Sequence, residues 1–384
     1  MNWNKRINHK LNMHIFNKKF RVKVAVQKNN NRIINVNGMQ YINFSSNDYL
    51  GLRNNARIVQ AWKTAATRYG IGSTGSSLIT GYSTIHQSLE EKLAKWLDYP
   101  KAILFISGYT ANTAIISTLI QKNDRIFMDK LSHSSILEPS YNSSGKCYRF
   151  IHNNPSSLMN KFYSSSGKNP LIITEGIFSM DGDIAPLSII SSFSKKIKGL
   201  LMVDDAHGIG VSGYNGKGSC EQHRVKPDIL TITFGKAFGI SGAAVLCSNN
   251  IAEYLWQFSK HLMFSTAMPI AQAYAIRQAL YCIQHADKLR RKLQENINFF
   301  LKNSQCLSHL LKCSHTAIQP IIIGDNEETM ILSDQLKSKG IWVNAIRPPT
   351  VPNKSSRLRI TLNALHTKED IEQLIESIYK LYDR

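Results

Sequence analysis

Short, mostly apolar runs recur through the middle of the chain, and they constrain its architecture more than any other feature. They span 102–106, 171–174, 200–204, 229–233 and 243–247, and each is followed within two residues by a polar residue or glycine. Helical patterns fill the intervals. Runs of four or five such residues without strict alternation mark strands covered on both faces. Strands of this kind, separated by helices, predict an α/β fold around a mostly parallel central sheet. Ligands of such sheets bind beyond the carboxyl ends of the strands.

The pattern changes after residue 287. "TAIQPIIIGD" (316–325), "IWVNAI" (341–346) and "RLRITL" (357–362) predict strands separated by helices. The terminal stretch "TKEDIEQLIESIYKLYDR" predicts a helix. Thr367 and Asp370 approximate a capping box, and Ile371, Leu374, Ile375, Ile378 and Leu381 keep one apolar face. A chain of 384 residues exceeds one simple core. The expected division is an N-terminal arm over 1–45, a large domain over 46–287 and a small C-terminal α/β domain over 288–384. The stretch 27–38, "QKNNNRIINVNG", predicts a loop or hairpin within the arm.

The net charge is +21, and the first acidic residue is Asp48. Nine cations precede it: Lys5, Arg6, Lys10, Lys18, Lys19, Arg21, Lys23, Lys28 and Arg32. The excess runs along the whole chain, with no stripe of basic and aromatic residues, no zinc knuckle and no helix-turn-helix pattern. The expectation is therefore no nucleic-acid partner, although the charge favours acidic or phosphorylated ligands. No apolar stretch approaches the roughly 18 residues of a membrane span. The six cysteines show no Cys-x-x-Cys spacing. They predict reduced thiols in a cytoplasmic protein and no metal site.

Four stretches with chemical potential follow expected strands. "FISGYTAN" (105–112) places Gly108 at a turn into a helix, and a helix N-terminus seats phosphate. "MVDDAHGIG" (202–210) ends an apolar run at Asp204, with His207 three residues on. "TFGKAFGISGA" (233–243) sets Lys236 among small residues that leave room for a flat ligand. A desolvated lysine of this kind can form a Schiff base. "DKLSHSSILE" (129–138) carries His133 in a polar loop. Taken singly, each reads equally as an ordinary cap or loop. Together they supply a phosphate seat, a buried acid, an imidazole and an amine, the set that pyridoxal 5'-phosphate needs.

These motifs, together with "TEGIFSMDGD" (174–183) and "FSSNDYLGL" (44–52), resemble the α-oxoamine synthases. That family comprises fold-type I pyridoxal-phosphate transferases that condense an amino acid with an acyl thioester. The resemblance runs from near the N-terminus to "RLRITLNALHT" (357–367). "AIRPPTVP" (345–352) resembles the branch that serves biotin biosynthesis, joining L-alanine to a pimeloyl thioester with loss of carbon dioxide. The thioester carrier is left open between coenzyme A and an acyl carrier protein. Other readings remain open too: a glycine-using synthase with a short acyl-CoA, a basic nucleic-acid-binding protein, or an inactive relative.

The resemblance implies a role for each residue. Lys236 is the Schiff-base lysine and the base for the α-proton. Asp204 pairs with the pyridine nitrogen, His207 reaches the ring hydroxyl, and His133 stacks on the ring and meets the substrate. Gly108, Tyr109, Ser179 and Thr233 hold the cofactor. Arg359 grips the amino-acid carboxylate. Arg21 and Thr350 match acyl-substrate positions, and Asn47 lies in the N-terminal active-site motif. Thr266 is expected to reach the phosphate of a neighbouring subunit in a homodimer. The stretch 72–81, Ile209 and Ala237 depart from the family pattern without removing a chemical group.

Overall fold

The computed structural model describes residues 2–382. Two compact units emerge from its contacts. The larger comprises Leu50–Ser179 with Ile184–Arg290, and the smaller comprises Met1–Tyr49, Met180–Asp183 and Arg291–Arg384.

The larger unit is built on seven strands: β1 (Lys101–Phe105), β2 (Arg125–Asp129), β3 (Lys146–Phe150), β4 (Pro170–Glu175), β5 (Leu200–Asp204), β6 (Ile229–Thr233) and β7 (Ala243–Cys247). Their spatial order is β1-β7-β6-β5-β4-β2-β3. β7 runs antiparallel to both β1 and β6. The remaining pairings are parallel. Every residue of β6 and β7 is buried, which is why their sequences do not alternate. Ile103, Phe105, Ile126, Met128, Ile173, Met202 and Val245 pack against Ala111, Ala114 and Ile115 of the helix Gly108–Leu119. Burial of each large aliphatic side chain contributes roughly 1.5–3 kcal/mol. All five apolar runs are strands. β3 was not anticipated: it is the sheet edge, and its exposed Lys146 and Arg149 give it the charged character of a protected edge rather than a core run.

In the smaller unit the arm contains a hairpin. Ile33–Val36 pairs antiparallel with Met39–Asn43 around Asn37 and Gly38. Both turn residues have positive φ, 51° and 79°, a geometry that Asn-Gly adopts at low cost and that matches strand twist. Ile341–Trp342 joins this sheet in parallel, and Trp342 packs on Ile34, Val36 and Tyr41. A second sheet pairs Ser356–Thr361 antiparallel with Ile318–Gly324 and with Ala345–Ile346. The terminal helix, Lys368–Tyr382, has a reciprocal cap. The Thr367 N–H donates to Asp370 Oδ2 at 2.9 Å, and the Asp370 N–H donates to Thr367 Oγ1 at 3.2 Å. Ile371, Leu374, Ile375 and Ile378 are buried on its apolar face, and Leu381 is half-buried near its end. Arg32 of the arm donates two hydrogen bonds to the same Asp370, at 2.6 and 2.7 Å. The N-terminal helix Trp3–Phe16 buries none of its residues. Among the described residues, no helix is long and apolar enough to cross a membrane, and all six cysteines are free thiols.

Candidate active site

Strand order assembles the chemistry of the larger unit. β4, β5 and β6 are neighbours, so the residues that end them, Glu175, Asp204 and Thr233, lie along one edge. The turn after β6 carries Lys236. Phe234 and Phe238 anchor it, both fully buried with rings 5.1 Å apart edge to face. The Gly239 N–H closes on the Lys236 carbonyl at 2.8 Å, and the Phe234 N–H on the Gly242 carbonyl at 2.8 Å. Lys236 is thus half-buried on a rigid turn. Thr233 is fixed as well: its hydroxyl donates to the Gly242 carbonyl at 3.1 Å and accepts the Gly235 N–H at 3.2 Å.

The helix Gly108–Leu119 starts against Thr233. Ser107 caps it by accepting the Thr110 N–H at 3.1 Å. A Cβ added to Gly108 would stand 3.8 Å from Thr233 Cβ, so the helix start and the Thr233 hydroxyl share one small recess. Tyr109 leaves this recess and donates its hydroxyl to Glu138. Its ring meets that of His133 edge-on at 6.3 Å.

Asp204 is buried and accepts Asn112 Nδ2 at 2.7 Å and the Ala206 N–H at 3.0 Å. Asn112 also donates to Ser135 Oγ at 2.9 Å, and Ser135 Oγ lies 2.8 Å from His133 Nδ1. The Ser135 N–H donates to that same Nδ1 at 3.2 Å, which leaves the proton of a neutral ring on Nε2. Burial, assisted by Lys236 and opposed by Asp204, holds the His133 imidazole below its ordinary value. Sequence reasoning missed Asn112, Ser135 and Glu175. Glu175 had a readable signal, an acid that directly ends an apolar run as Asp204 does. Asn112 offered only its place four residues beyond Gly108.

Asp205 points away from this edge into a glycine cage. Side chains at Gly176, Gly208 or Gly218 would each overlap its carboxylate. The Ser219 N–H donates to it at 2.7 Å, and its carbonyl accepts the Ile209 N–H at 3.0 Å. This clamp fixes the loop that holds His207, itself buried. Burial pushes Asp205 up to about 7 against its Ser219 hydrogen bonds. Ile209 and Ala237, the departures from the family pattern, are both fully buried.

Ser179 is half-buried in the segment after β4. Thr266 forms an isolated antiparallel bridge with Ser76. It lines a cavity of about 300 Å³ together with Tyr82, His86, Glu90, Trp256 and Thr110, the last being one residue beyond Tyr109. The 72–81 loop is tied there too, through the Ala267 N–H and the Gly75 carbonyl at 2.9 Å.

The smaller unit gathers Arg359, Asn47 and Tyr49. Arg359 lies buried in the strand Ser356–Thr361 and donates to Asn47 Oδ1 at 3.1 Å and to Thr361 Oγ1 at 3.0 Å. Burial pushes the Tyr49 phenol up to about 12, with the Arg359 charge and hydrogen bond opposing. Two positions along the same strand, Arg357 pairs with Asp181, which Lys312 also contacts at 2.5 Å. Arg21 and Thr350 are brought together at 3.2 Å, and both are exposed.

The donor set of the larger unit fits a pyridine aldehyde carrying a phosphate. It offers a buried carboxylate for a ring nitrogen, an imidazole, a rigidly held amine and a small-residue recess at a helix N-terminus.

Comparison with known proteins identifies the family. The sequence profile of the family "Aminotransferase class I and II" matches residues 39–378. The chain is 50% identical to the 8-amino-7-oxononanoate synthase of Serratia proteamaculans (strain 568), over 99% of each chain. Among solved structures, 8-amino-7-oxononanoate synthase from Francisella tularensis superposes with a TM-score of 0.78 at 34% identity, covering 88% of this chain and 97% of that one. The serine palmitoyltransferase of Sphingomonas wittichii superposes with a TM-score of 0.90 at 27% identity, covering 99% and 96%. With its mostly parallel sheet, its strand-end lysine and a match across nearly its whole length, the chain belongs to the aminotransferase class I and II family.

Proposed function

We propose that this chain catalyses the decarboxylative condensation of L-alanine with a pimeloyl thioester to give 8-amino-7-oxononanoate, a step of biotin biosynthesis. The observation that carries this reading is the 50% identity to a named synthase over 99% of both chains. The chain is a transferase whose cofactor is pyridoxal 5'-phosphate. In the reaction a bond forms between the alanine α-carbon and the pimeloyl carbonyl carbon. The thioester C–S bond breaks and releases the thiol. The alanine carboxylate leaves as carbon dioxide, and a proton returns to the α-carbon.

Lys236 Nζ would carry the cofactor aldehyde, Asp204 the pyridine nitrogen, and His207 the ring hydroxyl. Gly108, Tyr109, Ser179 and Thr233 would seat the remainder. When bound, the cofactor supplies an electron sink for the pair left on the substrate α-carbon. Lys236 takes the α-proton and later returns it, and its rigid turn makes this transfer effectively intramolecular. His133 presents its ring beside the reacting atoms, with Nδ1 held toward Ser135. Arg359 binds the amino-acid carboxylate through its planar fork, oriented by Asn47 and Thr361. Arg21 and Thr350 receive the acyl substrate on either carrier, coenzyme A or acyl carrier protein, both of which suit the basic surface.

The active assembly is a homodimer in which Thr266 serves the partner's cofactor. Exposed Ile71, Ile79 and Phe264 near the loops around Thr266 support an apolar interface there. The functional division is an arm (1–45), a cofactor domain (46–287) and a small domain (288–384). The free thiols support a cytoplasmic location. No nucleic acid or membrane takes part.

The test is a product assay by mass spectrometry. Protein loaded with pyridoxal phosphate receives pimeloyl-CoA and a mixture of alanine, glycine and serine. The expected result is one decarboxylated alanine–pimeloyl product. A glycine or serine product would retain the reaction class and overturn the substrate, the serine outcome being the one that the serine palmitoyltransferase likeness favours.

A further inference from the structure

Glu175 is the buried carboxyl of the larger unit's site to which the reaction above gives no task. It ends β4 in register with Asp204 at the end of β5. Paired positions on neighbouring strands project to the same face, so the two carboxyls emerge together. The adjoining backbone is locked, the Gly176 N–H donating to the Asp204 carbonyl at 2.8 Å. Glu175 Oε1 accepts the His133 N–H at 2.6 Å. His133 caps the helix Ser134–Asn142, and its ring nitrogen is taken by Ser135. Glu175 therefore grips the peptide that carries the imidazole, while Asn112 and Ser135 tie the ring side of the same residue to Asp204. The two strand-end carboxyls thus hold His133 at two points, Glu175 at its peptide N–H and Asp204, through Asn112 and Ser135, at its ring.

We propose that Glu175 is a positioning residue, whose carboxyl fixes the His133 peptide and so the plane of the imidazole; the proposal rests on the reading of the site given above. The groups facing Glu175 are Asp204 on β5, Asp129 at the end of β2, Lys236 on the turn after β6, and His133 itself. Burial first, then the Asp204 charge, push it up to about 8, with Asp129 adding to this. The His133 N–H and Lys236 pull the other way without prevailing. A second charge beside Asp204 is thereby avoided, while the acceptor for His133 is kept.

The test compares Glu175→Gln, Glu175→Ala and Glu175→Asp in the full-length protein. Gln keeps a neutral acceptor of the same reach. It should hold kcat within roughly 3-fold and leave the visible circular dichroism of the bound cofactor unchanged. Ala and the shorter Asp should lower kcat roughly 10- to 100-fold through misplacement, with little change in KM for alanine, and should alter that dichroism. If Ala fails to fold, Asp carries the same expectation. The melting temperature of the cofactor-free protein gives a readout independent of turnover. Glu175 lies above its ordinary value of 4.5 in the folded chain. Its contribution to stability is thus full below that value and lost as pH rises through about 8. Gln should flatten part of the decline in melting temperature between pH 5 and 8. Parental dichroism and kcat in both Ala and Asp would overturn the proposal, as would a Gln variant as impaired as Ala. If instead no variant and not the parent condenses alanine with either pimeloyl-CoA or pimeloyl-acyl carrier protein, the synthase reading fails, while dichroism and melting still decide the role of Glu175.

Discussion

Three carboxyls of the larger unit and two of the smaller shift in opposite directions. In the larger one, burial raises Glu175 to about 8, Asp205 to about 7 and Glu90 to about 7. In the smaller one, burial acts on Asp181 and Asp370 as well, yet both end below their ordinary values. Lys312 and Arg357 hold the first, and Arg32 holds the second. The same chemical group serves as a proton holder in one unit and as a structural pin in the other. What separates the cases is the partner. Glu175 and Asp205 accept mainly N–H and hydroxyl hydrogen bonds, whereas Asp181 and Asp370 each meet a guanidinium.

The comparison breaks most visibly at the residues proposed to carry function. Replacing Lys236 with Ala should lower turnover by roughly 1000-fold or more, since both the proposed covalent anchor and the proposed proton carrier go. Circular dichroism should show the fold intact; near-parental turnover would remove Lys236 from the mechanism. In the smaller unit, Arg359→Lys retains charge and loses the fork. Its kcat/KM for alanine should fall roughly 10- to 100-fold, mostly through KM.

Structural pins should respond differently. Asp181→Asn leaves the Arg357 charge buried without its carboxylate, at a cost of about 3 kcal/mol. Hydrogen exchange should then accelerate along Ser356–Thr361 while β5 and β6 keep their protection. The pH dependence sharpens the contrast. Raised groups contribute stability at low pH and lose it as pH climbs through about 7 to 8, and lowered groups contribute at neutral pH and lose it on acidification. Exchange from the larger unit should therefore speed up from pH 5 to 8, after correction for intrinsic rates, and exchange from the smaller unit should speed up below about pH 4. A common pH profile for both would erase the distinction. The smallest expected effect is at the terminal helix, where Thr367→Ala should cost about 1 kcal/mol through loss of its cap. Fraying should be confined to the first turn after Lys368.

Much of this was readable from the chain. The buried strands announced themselves because residues covered on both faces need no polar alternation, and Lys236, Asp204 and Thr233 were findable because each ends such a run or closely follows it. β3 was not, since an edge strand with Lys146 and Arg149 resembles a surface loop. The roles of Asn112 and Ser135 depend on the helix Gly108–Leu119 lying beside the helix Ser134–Asn142, a relation set by packing rather than by local sequence. The Arg32–Asp370 contact joins residues 338 positions apart, and neither residue carries a mark of the other.

The glycine cage around Asp205 has a consequence for how this sequence can change. Gly176, Gly208 and Gly218 come from separate segments, yet a methyl group at any one of them claims the same carboxylate volume. Their substitutions therefore share one cost, displacement of Asp205, so the three sites are coupled. Gly218 adds a cost of its own, because its φ of +93° strains any side chain, and Gly208 adds another, because a Cβ there also meets the Ser219 hydroxyl. A lineage could drift toward lysine and asparagine over its surface and still keep all three glycines, because no single replacement leads out of the cage by small steps.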